Sequence, residues 1–291
     1  MRIRNAFLDG LRRVNRNKRM WLVLFGIQLV FALILVLPLR SQLNKMIGHS
    51  LVGQEVLQGT GANVFFEFMA HHSQTVSMEM KLLSIVGLVY LVTSIFLNGG
   101  ILGVFTRKEE GFSASLFFEN AGRYFGRFFR LFLFSVPFIL VAFLMNNGFS
   151  TLFGRISGDS EPLKVIFWAL RTLILLFLIF FINMVFDYAK IRTVLEGRRD
   201  MLKSGLRSWG FILQNLRKTL GLYYLVASAG VIFFVLYTGV GKFIGVSTGL
   251  GILLLFLWQQ LYALGRIWVR LLFFSSQVTL YRSLTELSTL I

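Results

Sequence analysis

The sequence predicts an all-α fold: a polytopic membrane helical bundle with six transmembrane helices and three interfacial amphipathic helices. The first observation is composition, since 56% of the 291 residues are hydrophobic and only 15% are charged. Soluble domains carry about 25% charged residues, so much of this surface must face something other than water. The second is a series of long apolar runs, and the third is a net charge of +17 that falls mainly in alternate loops.

The spanning helices follow from these apolar runs. A helix needs about 20 mostly apolar residues to cross a bilayer, and strands of a β-barrel would be shorter and alternating. Six runs meet the helical pattern: Met20–Leu39, Leu82–Phe105, Phe129–Met145, Leu163–Phe186, Leu220–Val240 and Ser247–Phe274. The first run is long and no small-x-small cleavage site follows it, so we expect it to be a retained anchor.

Basic residues predict the orientation of these helices. One side carries Arg2, Arg4, Arg12, Arg13, Arg16, Lys18 and Arg19, then Arg107, Lys108, Arg123, Arg127 and Arg130, then Lys190, Arg192, Arg198, Arg199, Lys203, Arg207, Arg217 and Lys218. The other side carries Arg40, Lys45, Arg155 and Lys242 in its loops, with Lys81 and Lys164 at the boundaries. Cytoplasmic loops are enriched in Lys and Arg. We therefore expect a multi-pass protein of the cytoplasmic (inner) membrane with both termini inside.

Three segments that precede spanning helices have an amphipathic pattern, near residues 2–18, 113–128 and 198–216. In the second, the basic face carries Glu119, Arg123, Arg127 and Arg130, and the opposite face carries Phe117, Ala121, Tyr124 and Phe128. In the third, Leu202, Leu206, Trp209, Leu213 and Leu216 form one stripe, with Lys203 and Arg207 near another. Nucleic-acid binding needs cations and aromatic rings on the same face, so we expect no nucleic-acid partner. The predicted partners are the lipid bilayer and its anionic phospholipids.

The domain organisation is a single transmembrane domain over 1–291. It divides into three units, 1–106, 112–188 and 198–275, each an amphipathic segment followed by two spanning helices. Duplication and plain topological constraint both account for this recurrence. The segment 276–291 is predicted to be a cytoplasmic tail with a further helix, and the polar stretch Asn146–Pro162 is predicted to be a connector.

Few residues offer chemistry. The chain has no cysteine and three histidines, His49, His71 and His72, which lack a metal-ligand spacing such as HExxH. No phosphate-binding or nucleophile motif is present, so we expect no catalytic residue, no metal and no cofactor. Gly99 and Gly103 have the spacing of a close-packing face between spanning helices.

Polar residues within the spanning helices form the candidate site. They are Asn98, Asn183, Asp187, Gln259, Arg266 and Arg270, all but Gln259 in the cytoplasmic half under the predicted orientation. Charges in hydrocarbon are costly unless they are paired or reach water. The sequence therefore predicts a latch between Asp187 and Arg266 or Arg270, and the excess positive charge suits a lipid phosphate.

Two stretches carry a family resemblance. "VFDYAKIRTVLEGRRDMLKSGLRSWGFILQN" and "IGHSLVGQEVLQG" are similar to patterns in an uncharacterised family of bacterial six-helix integral membrane proteins. The architecture also resembles the membrane domain attached to some glycerophosphodiester phosphodiesterases, without their catalytic domain. The resemblance implies the topology and no activity.

The leading functional hypothesis is a non-enzymatic integral membrane protein: an accessory subunit of a membrane assembly, or a membrane-organising protein. Its expected partners include other membrane subunits or a homo-oligomer. The alternative is a transporter or lipid-translocating protein that uses the polar residues as its site. A membrane-embedded enzyme is a third hypothesis, with Asp187 and the loop histidines as its acid–base groups.

Overall fold

The computed structural model describes residues 3–47, 73–107, 111–158, 160–197, 201–245 and 248–288, and these contain helices and no strand. The eight described helices are α1 (Ile3–Arg16), α2 (Lys18–Ile47), α3 (Ser73–Phe105), α4 (Ala114–Ser157), α5 (Glu161–Leu195), α6 (Met201–Gln214), α7 (Leu216–Gly241) and α8 (Gly249–Ser288).

Six of these helices are long and apolar enough to cross a membrane. The qualifying stretches are Lys18–Ser41, Ser77–Phe105, Ala114–Ser157, Glu161–Leu195, Leu216–Gly241 and Gly249–Thr285. Each contains or overlaps one of the six apolar runs of the sequence. The prediction of an all-helical chain with six candidate spans is therefore confirmed.

Helix α4 differs from the prediction because it runs without a break through 44 residues. The segment 113–128 was expected to be a separate interfacial helix, and Asn146–Pro162 was expected to be a connector. Instead, α4 continues through Asn147 to Ser157, and only a short turn separates it from α5. The helix persists there because Phe149 and Phe153, one turn apart, stack on each other, and Phe153 stacks on Phe167 of α5 with ring centroids 4.7 Å apart.

Helix α8 also differs from the prediction at its end. The expected separate tail helix does not exist among the described residues, since α8 continues from Gly249 to Ser288. Continuity is favoured because Leu272, Val278, Leu280 and Tyr281 are buried, so core packing extends past the apolar run that ends at Phe274. Residues 289–291 lie outside the described part of the chain.

The other two amphipathic segments form separate helices that lead directly into spanning helices. A single residue joins α1 to α2, Asn17, and a single residue joins α6 to α7, Asn215. At both joints the turn closes with three-residue hydrogen bonds, from Asn17 N–H to Val14 O and from Asn215 N–H to Ile212 O. Asparagine is a poor helix former, which suits it to such a joint.

The chain divides into two compact units. The first unit comprises Met1–Arg13, Ile95–Leu225 and Leu272–Ile291, and the second comprises Val14–Ser94 and Val226–Leu271. Helices α1, α3, α7 and α8 contribute residues to both. The three repeated units expected from the sequence pattern, 1–106, 112–188 and 198–275, stay a prediction.

The first unit holds a close contact between α3 and α4. An added Cβ at Gly99 would lie 3.1 Å from the Ala121 carbonyl oxygen, and one at Gly103 would lie 2.5 Å from the Asn120 Cβ. The buried aromatic face of α4 includes Phe117. The close-packing role of Gly99 and Gly103 is thus confirmed. The aromatic face of 113–128 is covered by protein, so it does not face lipid as an interfacial helix would.

An aromatic cluster joins α4, α5 and α6 within the first unit. The Trp209 ring of α6 lies 6.0 Å from Phe138 of α4 and 5.5 Å from Phe181 of α5. Phe186 of α5 contacts both Phe134 and Phe138 edge to face. Rings in such arrangements stabilise beyond their buried area, so the short helix α6 is fixed against two long ones.

The second unit is joined by ring contacts and by polar contacts to indoles. Tyr90 of α3 lies edge to face on Phe31 of α2, and Tyr237 of α7 stacks on Tyr262 of α8 at 4.2 Å. The Trp268 indole N–H donates to Asn15 Oδ1 at 3.1 Å. These contacts connect α8 to the start of the chain within this unit.

Candidate functional site

The carboxyl end of α3 is bound by two arginines from opposite ends of the chain. Arg13 of α1 donates to the Phe105 carbonyl at 3.1 Å, and Arg282 of α8 donates to the Thr106 carbonyl. The last carbonyls of a helix have no intrahelical partner and carry partial negative charge. The two guanidinium groups therefore satisfy these carbonyls and connect α1, α3 and α8 in the first unit.

Near Arg13 and Arg282, small polar residues of α8 pack against α1. Ser275 Oγ donates to the Gly10 carbonyl at 3.1 Å, and an added Cβ at Gly10 would lie 2.9 Å from the Ser276 backbone. Gln277, next along the chain, is 1% exposed. Neither atom of its amide has a partner among the described residues. The approach of α1 to α8 thus depends on Gly10, and it buries an unsatisfied amide nearby.

At the end of α5, Asp187 pairs with its own helix. Lys190 Nζ lies 3.0 Å from Asp187 Oδ1, one turn along, and both side chains are less than one-fifth exposed. Further along, Glu196 Oε1 accepts from Arg192 Nε and from the Tyr281 hydroxyl, both at 2.7 Å. This second network joins α5 to α8, and the sequence analysis missed it because Tyr281 lay in the predicted tail.

The arginines of α8 have different surroundings. Arg270 is half-buried and donates to Ser94 Oγ of α3 at 2.8 Å within the second unit, while Arg266 is exposed. Gln259, the third predicted polar residue of α8, is also exposed.

The six polar candidates divide equally between the two units. Asn98, Asn183 and Asp187 belong to the first, with Asn98 buried and Asn183 exposed, and Gln259, Arg266 and Arg270 belong to the second. Neither unit therefore contains the whole predicted site. The latch between Asp187 and Arg266 or Arg270 joins residues of different units and stays a prediction.

The predicted lipid-facing cations lie on the outer faces of their helices. Arg123 and Arg127 both stand over the Tyr124 ring, at 5.9 and 5.6 Å from its centroid. Arg130 and Arg207 are exposed. The side chain of Lys203 lies outside the described part of the chain. On α6, Leu206 is 62% and Leu213 is 61% exposed, whereas Trp209 of the same stripe packs against α4 and α5, and Ser208 and Ile212 are buried.

The described residues contain no group of three His, Cys, Asp or Glu side chains that could hold a metal ion. His49, His71 and His72 lie outside the described residues. The sequence signal that could have revealed the α1–α8 contact is the run of small residues, Gly10 opposite Ser275 and Ser276, since close helix approach in membranes uses such residues. Comparison with known proteins gives no match among protein-family models, curated proteins or solved structures.

Proposed function

We propose that this protein is a non-enzymatic integral membrane protein of the cytoplasmic membrane that acts as an accessory or organising subunit of a membrane assembly. The observation that carries the proposal is an uncovered apolar stripe on α5. We call this stripe, Val165, Ala169, Leu173 and Leu176, the α5 flank.

The α5 flank has the spacing and composition of a helix-docking surface. Its members are four, four and three residues apart, which places them on one face of the helix. Val165 is 63% and Leu173 is 64% exposed. Small residues let helix backbones approach closely in membranes, and Ala169 lies in the middle of the stripe. A helix of another subunit, or of a second copy, fits this pattern.

The other end of α5 supports the same proposal by contrast. Met184, Val185, Ala189 and Ile191 have no exposed surface, so this end is packed into the first unit. One helix thus has an anchored end and a bare apolar end. A bare apolar helix face in a membrane protein is available to lipid or to another helix.

We infer that the basic faces of α1, the first half of α4 and α6 lie at the level of cytoplasmic lipid headgroups. Exposed Arg123 and Arg207, with the outward leucines of α6, support this arrangement for interfacial segments. Anionic headgroups attract each such cation by about 1 kcal/mol. The positive-inside pattern supports cytoplasmic termini.

The alternative function, transport or lipid translocation, requires the six polar residues to work together across the bilayer. Three of them belong to each unit, and Asp187 pairs with Lys190 of its own helix. The α5 flank therefore gives the subunit hypothesis the more direct support.

Site-specific photo-crosslinking in native membranes tests the proposal. A photoreactive residue at Leu173 should yield a protein adduct that mass spectrometry identifies as another subunit or a second copy. The matched control is Met184 on the same helix, which is buried and should yield only intrachain products. If Leu173 crosslinks only to lipid, the α5 flank is not a docking surface and the subunit hypothesis loses its support.

A further inference from the structure

We propose that a cleft between α4 and α5 binds the phosphate headgroup of an anionic phospholipid. The cleft lies where α4 ends and α5 begins, and its volume is about 270 Å³. Six of its lining residues matter here: Ser150, Phe153, Lys164, Phe167, Trp168 and Arg171. It lies on the face of α5 opposite to the α5 flank, so it does not depend on a protein partner.

Arg171 is the residue that points to an anion. It stands ten positions into α5, about 15 Å from the first residue of the helix, within a stretch long and apolar enough to span a membrane. Its side chain is half-buried and has neither a hydrogen bond nor an ion pair to any described residue. A guanidinium at this depth is unfavourable unless it reaches water or binds an anion.

The charge balance of the cleft leaves Arg171 as the excess cation. Lys164 Nζ is paired with Glu161 Oε1 at 2.9 Å, one turn before it. No acidic side chain is among the lining residues. An ammonium headgroup would therefore find no carboxylate in the cleft, whereas a phosphate would find an arginine.

Two other side chains of the cleft, Ser150 and Trp168, are hydrogen-bond donors without a partner among the described residues. The Ser150 hydroxyl and the Trp168 indole N–H make no hydrogen bond to the described residues. Ser157 uses its hydroxyl on the Gly154 carbonyl at 3.1 Å. Phosphate oxygens only accept hydrogen bonds when ionised, and arginine binds them through two parallel donors. A lining of donors matches such a ligand.

The surroundings select a lipid rather than a free ion. The two helices that form the cleft also expose large apolar side chains, Leu152 and Ile156 on α4 and Leu163 and Leu170 on α5, as expected for helices surrounded by acyl chains. The cleft is slightly smaller than the roughly 300–1,000 Å³ of sites for whole drug-sized ligands, so it suits a headgroup alone. Phe153 and Phe167, stacked at 4.7 Å, supply an aromatic wall, and Trp168 is typical of the headgroup level. Three candidate spans precede the junction of α4 and α5, so the cleft lies in the leaflet on the side opposite to the N terminus.

The test measures lipid binding to the full chain in detergent by native mass spectrometry, with phosphatidylglycerol, phosphatidylcholine and inorganic phosphate as probes. Arg171→Gln should weaken phosphatidylglycerol binding about tenfold or more, because it removes charge-assisted hydrogen bonds. Arg171→Lys should retain more of the affinity than Arg171→Gln does. The matched control is Arg155→Gln, an exposed arginine of the same hairpin that does not line the cleft, and it should bind like the wild type.

Three results would overturn the proposal. They are equal losses in Arg171→Gln and Arg155→Gln, binding of phosphatidylcholine as tight as that of phosphatidylglycerol, and displacement of the lipid by inorganic phosphate, which would make the ligand a free anion. If Arg171→Gln does not fold, Ser150→Ala carries the test. That variant should weaken phosphatidylglycerol binding several-fold, and unchanged binding would again overturn the proposal.

Discussion

Among single residues, Gly10 stands at a close contact between two helices although its own helix, α1, is strongly polar. Helix α1 is rich in arginine, yet the backbone of its Gly10 closely approaches the Ser276 backbone of α8. The neighbouring bond from Ser275 Oγ to the Gly10 carbonyl needs the same close approach. A glycine between charged residues at the start of a chain therefore determines how α1 packs in the first unit.

Substitution of Gly10 should destabilise the fold. The Cβ of Gly10→Ala would lie 2.9 Å from both Cα and N of Ser276, so backbone must move, and overpacking of this kind costs about 1–3 kcal/mol. We expect a lower apparent melting temperature in detergent. The control is Gly126→Ala in α4, where nothing lies within 4 Å and the better helix former should gain up to ~1 kcal/mol. Equal melting temperatures for the two variants would contradict the close contact.

Replacement of Gln277 should not lower the free energy of unfolding, whereas replacement of the nearby Ser275 should lower it. Gln277→Leu removes a buried amide without partners among the described residues, and such a group costs about 1–3 kcal/mol. Stability should stay level or rise. Ser275→Ala removes the bond to the Gly10 carbonyl and should lose about 1 kcal/mol. Thermal denaturation of both variants measures the difference, and a larger loss for Gln277→Leu would show that the amide binds a polar partner.

Among the helices, α4 shows what the spacing of apolar residues can and cannot predict. The apolar face of 113–128 was predicted correctly, since Phe117, Ala121, Tyr124 and Phe128 are all buried. What covers that face was not predictable from the segment alone. Gly99 and Gly103 of α3 make the close approach, and the glycine spacing and the aromatic face had been interpreted separately, one as helix packing and the other as lipid contact.

The continuity of α4 was missed for a related reason. Periodicity indicates which residues share a face, but amphipathic and wholly apolar stretches can follow each other in one continuous helix. At 44 residues α4 is about 66 Å long, more than twice the roughly 30 Å of a hydrocarbon core. A helix of this length cannot lie wholly across a hydrocarbon core without a strong tilt, and its first half is packed against α3.

Spin-label distances can distinguish a continuous α4 from an interfacial segment that bends away. Labels at Glu119 and Asn147, both exposed, are 28 residues apart and should be about 42 Å apart in a continuous helix. A segment turned at right angles near residue 129 would bring them to about 31 Å. The chain has no native cysteine, so the paired labels are specific. A distribution centred near the shorter value would contradict the continuous helix.

For the whole molecule, composition and hydropathy predict the six candidate spans well, but they do not predict which polar side chains lie together. Six apolar runs are enough to indicate six candidate spans, because the length of a spanning helix depends only on bilayer thickness. Which polar residues meet depends on how the helices pack. Arg270, for example, donates a hydrogen bond to Ser94, an uncharged residue that the sequence pattern does not single out. The cleft around Arg171 forms only because α4 continues to Ser157.

The orientation of the molecule gives the last prediction. Basic residues cluster before α2, around the start of α4 and between α5 and α7, which favours a cytoplasmic location for these segments. Single cysteines at Ser115 and Gly210 should therefore react with a membrane-impermeant maleimide only after the cells are permeabilised. Single cysteines at Arg155 and Lys242 should react in intact spheroplasts, because each follows an odd number of spans. All four positions are exposed, so a lack of reaction is not caused by burial. Labelling of Ser115→Cys from outside would reverse the topology. It would also move the Arg171 cleft to the cytoplasmic leaflet, where the basic faces of α1 and α6 would no longer be.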